Sequence, residues 1–233
     1  MDMILELKHA LYLNLIKDAR YLYILNGLKN TLIITFFAVA IGIFFGFLIA
    51  LIRNFCDNTG KLKLLNMFAK FFVVVIRGTP IVVQLMILFF CVFNSRAANN
   101  ILIAIIGFGI NSTAYVSEIF RAGLNSVDRG QIEAGRSLGL NYFSCMRYII
   151  LPQAFKNILP ALCNEFVSLL KETSVAGYVA VMDLTKAGDI IKSRTYDAWT
   201  PLILIALIYL ILTYCLTCLA NFLERRLKKH ERR

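Results

Sequence analysis

The sequence predicts an all-α membrane protein of about five transmembrane helices, with an N-terminal amphipathic helix and a cytoplasmic helical hairpin. Three observations point there. Of 233 residues, 59% are hydrophobic, and the mean hydropathy is +0.70; a soluble domain is about 45–50% apolar. The excess is gathered in long uncharged runs. Only 17% of residues are charged, yet the net charge is +11, which excludes a disordered chain and speaks against nucleic-acid binding. The length fits one membrane domain over residues 1–233, without a second soluble one.

A bilayer core takes about 20 apolar helical residues. Residues 31–52 form the cleanest span, closed by Arg53, and residues 199–223 form another, closed by Glu224. A third runs over 79–94, entered through Arg77-Gly78-Thr79-Pro80 and led by an interfacial segment from Leu64. Residues 99–120 are apolar until Glu118. The fifth, 159–181, is helical in pattern but contains Glu165, Lys171 and Glu172. Segments joined by an odd number of spans alternate sides, and the two sets hold 16 and 9 Lys and Arg, Arg96 among the latter. The richer set belongs in the cytoplasm. That places the N-terminus outside and the C-terminus in the cytoplasm.

Residues 10–25 read as an amphipathic helix on the outer interface. Asp2 and Glu6 stand where a signal peptide would be basic. The tail Arg225, Arg226, Lys228, Lys229, Arg232 and Arg233 suits anionic headgroups. Ala38, Gly42, Gly46 and Ala50 form a smooth stripe where another helix can approach closely.

Enzyme chemistry finds no support. His9 and His230 lie near opposite ends, so no histidine-based metal site is expected. Cys215 and Cys218 sit inside an apolar run and read as small helix residues. No phosphate-binding G-x-x-x-x-G-K-[ST] loop is present. The expectation is a non-enzyme without metal or cofactor of its own.

Polar residues within the spans carry the functional signal, since ionisable groups at membrane depth face a cavity or a protein interior. At 100° per residue, Asn164, Glu165, Ser168, Lys171 and Glu172 share about a third of one helix's circumference. Asn111, Tyr115 and Glu118 share a narrow face of the preceding span, and Gln84 adds an amide to the span over 79–94. Gln84, Asn164, Glu165 and Ser168 are the candidates to border a translocation path. The alternative is that such groups pair with one another and fix packing. Packing is favoured for Glu118, beside Arg121. Arg77, Gly78 and Pro80 are candidates for a gate or hinge at the inner interface, or Arg77 is an inner-side anchor.

The long polar segment 126–152 reads as a short helix, a break at Gly139, and a second short helix capped by Asn141 and closed by Leu151-Pro152. Small residues Gly130, Ala134, Gly135 and Gly139 leave a surface that a partner can approach. Glu133-Ala134-Gly135, then Gly139, then Ile149-x-Leu151-Pro152 resembles the EAA loop of ABC-importer permeases, with Gly135 in place of the second alanine. Val74–Gln84, Ala114–Gly123, Leu151–Ala154 and Asn164–Ser174 resemble, in order, motifs of the histidine/glutamine-type amino-acid permeases.

This resemblance implies a permease subunit of a bacterial inner membrane that takes a polar amino acid into the cytoplasm. It implies a second permease subunit, as homo- or heterodimer, and a periplasmic or surface-tethered substrate-binding protein. Cytoplasmic ABC ATPase subunits, carrying the ATP and Mg, would dock on Gly130, Glu133, Ala134, Gly135, Gly139, Leu151 and Pro152. The alternative is an ion-coupled secondary transporter or channel without an ATPase.

Overall fold

The computed structural model describes residues 2–93 and 99–229, and these contain helices and turns with no strand. Arg96, His230, Arg232 and Arg233 lie outside them. In chain order the helices are α1 (Asp2–Leu11), α2 (Tyr21–Thr59), α3 (Lys63–Gly78), α4 (Ile81–Ile87), α5 (Asn100–Asn125), α6 (Arg129–Ser137), α7 (Tyr142–Cys145), α8 (Leu151–Glu172), α9 (Leu184–Thr195) and α10 (Trp199–Lys229). Tyr21–Thr59, Asn100–Asn125 and Trp199–Arg226 are long and apolar enough to cross a membrane. Lys63–Gly78 and Ile81–Val92 form a fourth, broken candidate, bent by 106°. The fifth expected span corresponds to α8, which is more polar.

The helix ends differ from the apolar runs. Helix α2 extends over 39 residues, because Lys29 and Arg53 are good helix formers. Residues 10–25 do not form one amphipathic helix. A π turn, Tyr12–Ile16, follows α1, and the chain then reverses through Asp18 and Ala19 at positive φ. Buried Arg20 holds that reversal, donating to the Leu13 carbonyl (2.6 Å) and the Asp18 carboxylate (2.9 Å). In the span expected over 79–94, the helix starts at Ile81. Pro80 forces Thr79 into extended backbone (φ −118°, ψ 145°), which breaks α3 from α4. Helix α8 ends at Glu172, and the chain continues as a 3-10 turn, Thr173–Val179.

Contacts divide the chain into two compact units. The first comprises the described residues of Met1–Ala38, Pro80–Gly109 and Ser168–Cys215. Its core joins Ile24, Leu184, Ile191 and Ile205. Gly27 lets the segment before α9 lie against α2: a Cβ there would come within 2.6 Å of the Asp183 carbonyl oxygen. Asn30 donates to the Met182 carbonyl (2.8 Å), and Thr31 Oγ accepts from the Leu184 N–H (3.1 Å). Buried Asp183 caps α9 by accepting from Thr185 and Lys186. Burial pushes its carboxyl pKa up, against the lowering effect of those donors.

The second unit comprises the described residues of Val39–Thr79, Ile110–Val167 and Leu216–Arg233. Its core includes Ala50, Val116, Phe120, Ile150, Ala154 and Ile158. The small-residue stripe does what its pattern implies. A Cβ at Gly42 would meet Ser112 Oγ at 2.5 Å, and one at Gly46 would meet Val116 at 2.8 Å. Thus α2 and α5 pack at close range along Gly42, Gly46 and Ala50.

Candidate functional site

Two features of the second unit are the candidates for a functional role: a polar hairpin and a group of polar side chains on α5 and α8. The hairpin starts with a cap the sequence reading missed. Asp128 accepts from the Gly130 N–H (2.6 Å) at the start of α6. Asn141 accepts from the Ser144 N–H (2.8 Å) at the start of α7, as its residue type predicts. Gly139 takes φ +86°, the left-handed turn that separates them. Burial pushes the Tyr142 phenol pKa up, partly offset by the bond from Asn58.

Leu151-Pro152 does not close a helix. A π turn over Met146–Ile150 leads straight into α8, with Pro152 in its first turn, where a missing N–H is cheap. The small residues also divide by role. Gly135 is buried and faces Cys145 and Ile149, where a Cβ would lie 2.8 Å from Cys145 Sγ. Its size serves packing within the hairpin. Glu133, Ala134 and Gly139 are exposed. So are Leu138 (84%) and Phe143 (71%), two apolar residues that spacing did not single out. Polar motif residues drew attention away from them, although both flank the Gly139 break. A cleft of about 860 Å³ opens beside the hairpin, walled by Asp57, Asn58, Glu133, Arg136 and Tyr142 among others.

On α8, the polar arc turns away from the core. Leu162, Leu169 and Leu170 are buried, Asn164 and Lys171 are exposed, and Glu165, Ser168 and Glu172 are half-buried. Fully buried Ser112 of α5 donates to Glu165 Oε1 at 3.1 Å. In the first unit, Ser168 lies 3.5 Å from the Glu172 carboxylate, and Gln84 is half-buried on α4. One turn along α5, the Tyr115 ring lies under the Arg77 guanidinium (5.1 Å). Gly78 has open space where a Cβ would stand.

Glu118 is a packing residue. It accepts from Arg53 of α2 and, through its other oxygen, from Arg121 at 2.8 and 3.1 Å. Its tie to Arg121 was legible from sequence spacing. The link to Arg53, 65 positions earlier, required the fold. Among the described residues no cluster of three metal-ligating side chains occurs, and all six cysteines are unpaired.

Comparison with known proteins defines the class to which this arrangement of helices and hairpin belongs. Residues 42–229 match the family described as binding-protein-dependent transport system inner membrane component, and the chain belongs to that family. Among relatives, the arginine transport system permease protein ArtQ of Bacillus subtilis (strain 168) is 36% identical over 211 residues, covering 90% of this chain and 94% of its own. A Rickettsia prowazekii (strain Madrid E) protein, provisionally named glutamine transport system permease protein GlnP, is 37% identical over 211 residues, covering 89% and 94%. A chain from the crystal structure of an amino acid ABC transporter with histidines superposes with a TM-score of 0.82 at 41% identity, covering 91% and 97%. A chain of the inward-facing MetNI methionine ABC transporter shares the fold at 20% identity, with a TM-score of 0.76 over 89% and 97%.

Proposed function

We propose that this chain is the membrane-spanning permease subunit of an ABC importer for a polar amino acid of the glutamine or arginine kind. The observation that carries the reading is family membership over residues 42–229, joined to a hairpin with exposed Glu133, Leu138 and Phe143. In this reading the chain works without bond-making chemistry of its own. Cytoplasmic ABC ATPase subunits bind ATP and Mg and dock on the hairpin, at Gly130, Glu133, Ala134, Gly139 and its exposed apolar tips. Gly135, Leu151 and Pro152 shape the hairpin and its junction with α8.

A second permease chain, identical or related, completes the pathway, and a periplasmic or surface-tethered binding protein delivers the substrate. The N-terminus lies outside and the C-terminus in the cytoplasm, with α8 as the fifth span. Gln84, Asn164, Glu165 and Ser168 border the path, and the bend at Gly78 and Pro80 acts as a hinge. Closure of the ATPases moves the hairpins, and the continuous π turn into α8 passes that motion to the polar helix. An ion-coupled transporter without an ATPase is not favoured, because the matched family works with binding proteins.

The experiment is reconstitution into liposomes with the cognate ATPase and binding protein. Uptake of labelled glutamine and arginine should require ATP. Glu133→Lys and Gly139→Asp should abolish uptake while the permease stays in the membrane. Uptake that persists without the ATPase would overturn the reading.

A further inference from the structure

Within the second unit a groove of about 790 Å³ opens between α2, α5 and α8, and every side chain that lines it is apolar. Phe120 of α5 is buried, with the Phe47 ring of α2 tilted against it at 5.0 Å. Phe44 (61% exposed) and Phe155 (50%) stand on the α2 and α8 walls. Along α2 the lining runs from Ala40 to Phe47, and along α8 from Ile158 back to Leu151, seven residues apart in each case. That is about 10 Å of helix, which fits within one leaflet, half of a hydrocarbon core of about 30 Å. A crossing helix of a second copy, laid along the groove, would need an apolar track of about 20 residues. The track is too short for that and suits an acyl chain. One end of the groove also carries charge. One turn before Leu151 and Pro152, the π turn exposes Arg147 and Tyr148. The Arg147 guanidinium lies over the Tyr148 ring at 5.7 Å, and Arg147 forms no ion pair among the described residues. An aromatic face holds a guanidinium by its ring quadrupole and leaves the N–H fork free. That fork is shaped for phosphate oxygens, and tyrosine is enriched where a membrane meets water.

We propose that this groove holds one acyl chain of a phospholipid from the cytoplasmic leaflet, with the lipid phosphate received by Arg147. This rests on the transport reading and its topology, which put the hairpin in the cytoplasm. The glycerol end of the chain lies toward Leu151 and Pro152, and its methyl end toward Ala40 and Ile158. Tyr148 is a positioning residue that keeps the guanidinium at headgroup level. Leu151 and Pro152 belong both to the groove and to the junction of the hairpin with α8. The seated lipid therefore braces the joint through which motion of the hairpin passes to α8.

The test uses the complete permease–ATPase complex, washed exhaustively in detergent. The photo-cross-linker p-benzoylphenylalanine replaces Phe155 in one sample and Leu210, 62% exposed on α10, in another. After washing, position 155 should still give an adduct of phospholipid mass, and position 210 should lose it. Phosphatidylglycerol should compete for the groove about tenfold better than diacylglycerol, which has the same chains without the phosphate, as one charge-assisted contact gives. Arg147→Gln should erase that preference, and Arg147→Lys should keep part of it. Ala40→Trp fills the groove and should remove the retained lipid. Ala40→Leu, a smaller filling, decides the matter if the tryptophan variant does not assemble. Amide exchange over residues 146–152 should slow when phosphatidylglycerol is returned to the delipidated complex. Equal phospholipid adducts at 155 and 210 after washing would overturn the proposal. So would an adduct from 155 to a second permease chain, an Arg147→Gln complex with the wild-type preference, or exchange at 146–152 that lipid leaves unchanged. Lipid retained in the groove of a complex whose uptake needs no ATPase would instead defeat the transport reading alone.

Discussion

Ser112 and Glu165 are joined across two helices by a hydrogen bond of 3.1 Å, from a fully buried hydroxyl to a half-buried carboxylate. Gly42 leaves the space for it, since a Cβ there would fall 2.5 Å from Ser112 Oγ. One small residue on α2 therefore permits a polar contact between α5 and α8. A hydrogen bond to a charged group contributes about 1.5–3 kcal/mol.

Ser112→Ala should lower transport about tenfold, and combining it with Glu165→Gln should add little, because both changes remove one interaction. Initial uptake rates in proteoliposomes for the two single variants and the double variant provide the check. Fully additive losses would separate the two side chains.

Glu118→Ala should destabilise the protein by about 3 kcal/mol, since it leaves Arg53, 8% exposed at its side chain, without a counter-charge. Lys186→Ala removes an ion pair to Asp189 whose side chains are 37% and 42% exposed, and should cost less than about 1 kcal/mol. Thermal unfolding in detergent compares them directly.

Gly27→Ala should lower the melting temperature by several degrees. The added methyl meets backbone, at 2.6 Å from the Asp183 carbonyl oxygen, and overpacking of this kind costs about 1–3 kcal/mol. The same change at Gly78 meets nothing within 4 Å and serves as the control in one thermal-shift series.

Phe143→Ala should reduce retention of the ATPase on purification while leaving thermal stability nearly unchanged. The ring is 71% exposed, so its removal opens no cavity, and an exposed aromatic on a docking surface is a common source of binding energy. Equal ATPase retention by variant and wild type would remove Phe143 from the interface.

Acid should loosen the contact between the N-terminal segment and the loop before α10. Asp197 accepts from Thr200, the Trp199 N–H and Asn14, and these bonds, that of Thr200 first, hold its carboxyl below the usual carboxylate range. A lowered folded-state pKa means stability present above the unfolded value of about 3.9 and lost as pH falls through the folded one. Asn14→Ala should flatten that low-pH decline, as read by amide exchange in residues 10–20 against pH.

The division between sequence and structure follows from range. Composition and long uncharged runs identified the membrane class, because a bilayer tolerates little else. Local chemistry fixed the hairpin's Gly139 turn and Asn141 cap, and the helical period of 3.6 placed Asn164, Glu165 and Ser168 on one arc. Each of these depends on residues within a turn or two of one another. The stripe Gly42, Gly46, Ala50 announced a close helix neighbour but not its identity. Only the tertiary structure decided that Ser112 and Val116 are that neighbour, that Arg53 joins Arg121 on Glu118, that Gly135 packs inside the hairpin, and that Arg77 rests on Tyr115. Those pairings join distant segments. They depend on which helices pack together and at what rotation, and a single strand of sequence encodes that only through the summed fit of all its side chains.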